Sequence, residues 1–158
     1  MNANLYKLFQ SRFPADASAV AIETAGGRLY SYDELQRITA HYAGLIRSLG
    51  VEPGDRVAVQ VEKSAEALFL YLACLKAGAI YLPLNSAYQE GEIDYFLGDA
   101  EPKIFVHQPR AEDWVIPLCE RRGVQHRFVL PAEGEEIKPQ HLRASWHENA
   151  LEAAPMLE

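Results

Sequence analysis

The residues with the strongest claim to chemistry are Lys63 and Ser64, which stand directly before an apolar helical pattern over Ala65–Ala77. A cation and a hydroxyl at a helix N-terminus could hold an anion. A phosphate cradle also needs glycines beside the lysine so that backbone amides can approach, and none flanks Lys63. Ser64 therefore reads as a helix cap and Lys63 as a solvated side chain. The five histidines, His41, His107, His126, His141 and His147, never fall at HxxxH spacing or beside a cysteine pair, so they read as surface or packed residues rather than metal ligands. His107 and His126 end and begin strands and are the pair that could approach each other. Glu90, Glu92 and Asp94 read as the solvated face of an amphipathic helix. No G-x-S-x-G elbow exists to activate a serine. Trp114 and Trp146 read as packing residues, since no basic residues interleave with aromatics near them. No residue is assigned a catalytic, cofactor-binding or metal-binding role.

The whole chain narrows the function classes further. At 158 residues it suits one domain. Apolar residues at 49% and charged residues at 23% are ordinary globular values. A net charge of −7 argues against a nucleic-acid partner, which requires clustered Lys and Arg. The one adjacent basic pair, Arg121-Arg122, reads as a solvated helix end where cations suit the dipole. Two cysteines, Cys74 and Cys119, make no disulfide framework; Cys74 lies in an apolar pattern and reads as a core residue, which favours a reducing, cytoplasmic setting. The longest apolar stretch, Ala67 to Leu84, is interrupted by Lys76, Gly78 and Pro83, so no membrane span is expected. No charged n-region followed by an apolar h-region marks a secretory signal.

The elements that would position any site follow from periodicity. Leu5 and Leu8-Phe9 predict a short opening helix. Ala19–Thr24 and Arg28–Tyr30 predict two strands joined at Ala25-Gly26-Gly27, a hairpin turn rather than a phosphate loop. Ser31-Tyr32-Asp33-Glu34 is a capping box, followed by a helical stripe from Leu35 to Leu49 that Gly50 ends. Val57–Val61 is apolar on both faces, as in a central parallel strand. Ala65–Ala77 is apolar nearly all round, a helix that must be covered on more than one side. Gly78 ends it, Ala79–Leu82 is the next strand, and Pro83 stops that strand. A helix at Gln89–Gly98, a strand at Lys103–His107, a helix at Ala111–Arg122 that Pro117 should kink or shorten, and a strand at His126–Leu130 complete the pattern. Beyond Pro131 the chain turns polar, with a short helix near Ser145–Leu151. Strands alternating with helices predict an α/β fold with a mainly parallel, helix-covered sheet and a small N-terminal hairpin. Its ligand end would lie at Glu62-Lys63-Ser64, Leu84-Asn85-Ser86 and His107-Gln108.

Several phrases together carry a resemblance: Met1 to Leu5, Ala21 to Ala25, Ser31 to Leu35, the Gly54 to Asn85 run with its Gly54-Asp55-Arg56-Val57 and Lys76-Ala77-Gly78-Ala79 phrases, Tyr88, Glu92 to Phe96, and Asp99 to Ile104. They resemble the start of an acyl-CoA synthetase of the adenylate-forming, AMP-binding superfamily, over about residues 1–106. Val61 to Ser64 and Tyr81 to Asn85 lean toward the malonyl-CoA synthetases. The resemblance implies an enzyme that joins an acid to ATP as an acyl-adenylate, with Mg²⁺, and passes the acyl group to coenzyme A. It also implies that the chemistry is missing here. The family's Thr/Ser/Gly-rich phosphate loop has no match: the only threonines are Thr24 and Thr39, and beyond Arg110 the only glycines are Gly123 and Gly134.

Residues 1–158 thus read as a partial N-terminal AMP-binding domain. Residues 1–50 hold the opening helix, hairpin and helix, 51–130 the parallel unit, and 131–158 a polar loop and short helix. Leu157-Glu158 reads as an appended dipeptide. The fragment is expected to be inactive, its partner the remainder of the parent polypeptide. Uncovered apolar surface and strand edges predict self-association. Two alternatives stand beside this reading: a stand-alone binding or scaffold module on the same half-fold, and a fragment of a fatty-acid or aryl ligase or of a peptide-synthetase adenylation domain.

Overall fold

The computed structural model describes residues 4–109, 112–153 and 155–158. Met1-Asn2-Ala3, and Ala111 at the expected start of the fifth helix, lie outside the described residues. The chain runs α1 (Leu5–Gln10), β1 (Val20–Glu23), β2 (Leu29–Ser31), α2 (Tyr32–Ser48), β3 (Arg56–Gln60), α3 (Ala65–Ala77), β4 (Ile80–Pro83), α4 (Glu90–Ala100), β5 (Ile104–His107), α5 (Glu112–Arg122), β6 (His126–Val129), a 3₁₀ helix (Pro139–Ala144) and α6 (Trp146–Ala153).

Strands β1 and β2 form an antiparallel hairpin, tightened at Gly27, whose φ of 85° only glycine adopts without strain. The other four strands make one parallel sheet in the order β4-β3-β5-β6. Because side chains alternate along a strand, its two faces build two cores. Val57, Val59, Ile104 and Val106 pack with α2, α3 and Trp146 of α6. Ala58 and Phe105 pack with Ile93 and Leu97 of α4 and Val115 and Leu118 of α5. The expected parallel, helix-covered sheet with its hairpin is what forms.

Local sequence signals act where they were expected. Ser31 Oγ accepts from the Glu34 N–H at 3.1 Å, while the Glu34 carboxylate accepts from the Ser31 N–H at 2.9 Å. Ser64 Oγ accepts from the Ala67 N–H at 3.0 Å and starts α3. Gly78 ends α3 in the left-handed region at φ 79°.

Two expectations hold and two need correction. The all-round apolar α3 is covered on more than one side, as expected, and by this chain itself: α1, α2 and the sheet bury Phe69, Leu70, Ala73 and Cys74 completely, with Leu68 the large exposed side chain on it. Pro83 ends β4, as expected, as the strand's last residue opposite Val59. It is tolerated because β4 is an edge strand, where a missing N–H removes no ladder bond. Pro117 does not end α5, which continues to Arg122. The polar stretch after Pro131 contains a 3₁₀ helix that periodicity does not reveal, because six residues of it (PQHLRA) carry no apolar stripe.

Candidate functional site

Parallel sheets bind ligands beyond the carboxyl ends of their strands, at the point where successive crossovers leave on opposite faces. Here β3 lies between β4 and β5. Its crossover to β4 uses α3 on one face, and the crossover from β4 to β5 uses α4 on the other. The switch point is therefore the crevice between the ends of β3 and β5.

That crevice opens into a cavity of about 430 Å³ lined by Gln60, Gln89 and Gln108 with Ser86, Tyr88 and Trp114. Gln60, the last residue of β3, is 4% exposed, and its Nε2 donates to the Asn85 carbonyl at 3.1 Å and the Tyr88 carbonyl at 2.9 Å. It ties the loop after β4 across the sheet end. Asn85 Oδ1 accepts from the Ala87 N–H at 2.9 Å and tightens the same loop. Among the described residues its walls carry carboxamides and aromatic rings and no charge, an arrangement that can orient a neutral polar group.

A second cavity, about 390 Å³, lies between the hairpin and the loop after β6, lined among others by Arg28, Tyr30, Glu66, Glu133, Glu135 and Glu148. The Arg28 guanidinium sits 4.3 Å from the Tyr30 ring centre. Glu133 accepts from the Gly26 N–H at 3.1 Å, fastening the loop to the hairpin turn. Four carboxylates against one guanidinium repel phosphate.

The positions singled out in the sequence divide as follows. Ser64 is a cap, as read, and Lys63 is exposed. Leu84 is buried in the smaller core. His107 and His126 are not brought together: the register sets His126 opposite Ile104 and His107 opposite Val129. His107 is fully buried; its Nδ1 donates to the Gln108 carbonyl at 2.8 Å and its Nε2 accepts from Arg127 Nη1 at 2.9 Å. Burial above all, with the Arg127 charge acting in the same direction and the Gln108 carbonyl opposing, holds its pKa down at about 4. His147 hydrogen-bonds the buried Tyr42 hydroxyl at 2.7 Å. Trp146 is a fully buried packing residue. Burial pushes the Cys74 thiol up to about 12 and Cys119 to about 11, so neither is a ready nucleophile. Among the described residues no group of three His, Cys, Asp or Glu is placed to hold a metal, and no helix is long and apolar enough to cross a membrane. The residue that sequence reasoning missed is Gln60; its signal was a lone carboxamide ending an otherwise apolar central strand.

The phrases behind the resemblance prove to be structural devices. Asp55 pairs with Lys103 at 2.8 Å and accepts from the Glu52 N–H. Arg56 Nε donates to the Ala100 carbonyl at 2.7 Å, closing the end of α4. Both act at the amino ends of the strands, opposite the crevice.

Comparison with known proteins places this scaffold. The family model described as AMP-binding enzyme matches residues 9–154. MatB from Rhodopseudomonas palustris, solved in its apo form, superposes with a TM-score of 0.85 and 40% identity, covering 100% of this chain and 30% of its own. The medium-chain fatty-acid–CoA ligase of Escherichia coli is 31% identical over 122 residues, which are 74% of this chain and 22% of the ligase. A feruloyl-CoA synthase from an Amycolatopsis species is 36% identical over 97 residues, 20% of its length. The chain thus spans about a fifth of the length of these two ligases, and on the strength of the family match it belongs to the AMP-binding enzymes.

Proposed function

We propose that these residues are the first part of the N-terminal domain of an acyl-CoA synthetase, in the malonyl-CoA synthetase branch, and that they are catalytically silent by themselves. The carrying observation is the 40% identity to MatB across the whole of this chain, against 36% over 97 residues for the feruloyl-CoA synthase and 31% over 122 residues for the fatty-acid ligase. The phrases Val61 to Ser64 and Tyr81 to Asn85 with Tyr88 favour the same branch. Residues 1–50 brace the sheet, 51–130 form its parallel unit, and 131–158 lead away from it. In this reading the whole protein works in the cytoplasm. It activates an acid with ATP and Mg²⁺ and transfers the acyl group to coenzyme A; MatB has been solved with ATP bound.

What supports the silence is charge: among the described residues one cavity is lined by neutral side chains, the other mainly by carboxylates, and neither lining includes a lysine for a polyphosphate. Titration calorimetry with ATP and Mg²⁺ is expected to give no heat, and a coupled assay with malonate and coenzyme A no thioester. Clear nucleotide affinity would overturn the reading. The named relatives also include other ligases and peptide synthetases such as tyrocidine synthase 1, so the acid is decided by profiling the intact parent. A stand-alone module is excluded if the reading frame continues past residue 158 into a Thr/Gly-rich loop.

A further inference from the structure

Gly44 sits in the buried interior of α2, and its φ is not positive, so no backbone conformation there requires glycine. Glycine in a helix interior is the poorest choice apart from proline. Its reason is spatial. A Cβ at this position would collide with the Pro155 carbonyl oxygen and would stand 3.5 Å from the Leu157 nitrogen. One helical turn earlier, the Ala40 carbonyl accepts from the Leu157 N–H at 3.0 Å. A carbonyl has two lone pairs, so this bond adds to the helix's own. The Leu157 side chain packs against the larger core. Beside it a space of about 400 Å³ is walled by Tyr6, Gln36 and Lys76 together with Leu157 and Glu158.

We propose that the Gly44 notch is a docking seat for a main-chain segment, that residues 155–158 are its occupant, and that the seated segment is a strap tying these residues to α2. The seat reads backbone geometry. It takes a carbonyl over Gly44, an N–H two residues later aimed at Ala40, and an apolar side chain on that same residue. Leu157-Glu158 is in this view part of the packing rather than an idle appendage.

The test combines amide exchange with a two-residue cycle. In the unaltered chain the Leu157 N–H is expected to exchange on the order of tenfold or more slower than an unstructured amide. Gly44→Ala abolishes that protection. In the unaltered background Gly44→Ala lowers the midpoint of thermal unfolding. In a Leu157→Pro background, which lacks the N–H, the same change raises the midpoint, because the better helix former no longer meets the strap. The proposal is overturned if Leu157 exchanges at the unstructured rate in the unaltered chain, or if Gly44→Ala shifts the midpoint equally in both backgrounds. Should Gly44→Ala fail to fold in either background, the exchange rate of the unaltered chain decides alone.

Discussion

Arg122 grips Asp94 across the face of Gly98: its Nε lies 2.7 Å from one carboxylate oxygen and its Nη2 3.0 Å from the other. Arg121 adds a contact at 3.2 Å. Sequence reading places Asp94 on a solvated face and the arginine pair at a free helix end; the structure joins them into the clamp that holds α5 on α4. The clamp depends on a missing side chain, since a Cβ on Gly98 would stand 2.9 Å from Arg122 Nη1. Hydrogen bonds from Arg122, then Arg121, hold the Asp94 carboxyl down at about 2. Gly98→Ala should push the guanidinium aside and return the Asp94 pKa toward 3.8, read by carboxyl NMR titration. The stability this pair contributes is complete above pH 3.8 and lost as pH falls toward 2. In Gly98→Ala that acid loss should shrink.

Asn4 caps two helices with one carboxamide. Its Oδ1 accepts from the Tyr6 N–H at 2.9 Å at the start of α1, and its Nδ2 donates to the Leu75 carbonyl at 2.9 Å near the end of α3. Asn4→Ala should cost about 2 kcal/mol, about one for the cap and about one for the second bond. Asn4→Asp keeps the cap but aims a carboxylate at the negative end of α3. It should fall between the unaltered chain and Asn4→Ala if the Leu75 bond matters, since it regains the cap but not that bond. Thermal unfolding of both variants separates the two roles.

How much of this was legible follows from the range of each signal. Caps and stops act within three or four residues, so Ser31, Ser64 and Gly78 could be read directly, as could the strand alternation at Val57 and Val59. Partners far apart in sequence could not: Asp94 meets Arg122, Asn4 meets Leu75, and Gly44 meets Pro155 only once the chain is folded. Gly44 and Gly98 look like poor helix residues until the atoms above them are known. The candidate site was legible as a location, from the strand ends, but not in its chemistry. Gln60 points into the crevice because of sheet register, which a single strand does not reveal.

His107 predicts an acid-sensitive core. Its folded pKa is about 4, below the ordinary 6.5, so the neutral ring is the form that folding favours. The resulting stability is fully present above pH 6.5 and is lost as pH falls from there to 4. The full loss is about 3 kcal/mol. Protonation would put a second charge beside Arg127 and remove the lone pair that accepts its N–H; the buried His141 faces the same group. Denaturant midpoints measured between pH 7 and 4 should decline steadily. His107→Gln should flatten that part of the curve.

Self-association is expected at the sheet edges rather than at α3, which the chain covers itself. Among the described residues strand β4 pairs only with β3, and Ile80 on it is half exposed. Strand β6 gains beyond β5 a single bridge, from Val129 to Ser145. Light scattering at rising concentration should show a dimer or larger species, and Ile80→Lys should reduce it. A clean monomer at high concentration would refute this.

Gln60 offers the sharpest separation of shape from chemistry. Both of its Nε2 hydrogens go to carbonyls of the 85–88 loop, in a position 4% exposed. Gln60→Ala leaves two carbonyls short of a donor and should cost about 2–3 kcal/mol. Gln60→Glu keeps the shape but replaces the donor with oxygen, so the ionised carboxylate would face two carbonyl dipoles in a largely dry site. Only the protonated acid can donate there, and then to one carbonyl. The variant's carboxyl pKa should therefore rise above the ordinary value for Glu, and its deficit should narrow as pH falls through that raised pKa. Chemical denaturation of the three proteins at pH 8 and pH 5 gives the answer. If Gln60→Glu matches the unaltered chain at pH 8, the loop is held by packing and the two hydrogen bonds are incidental.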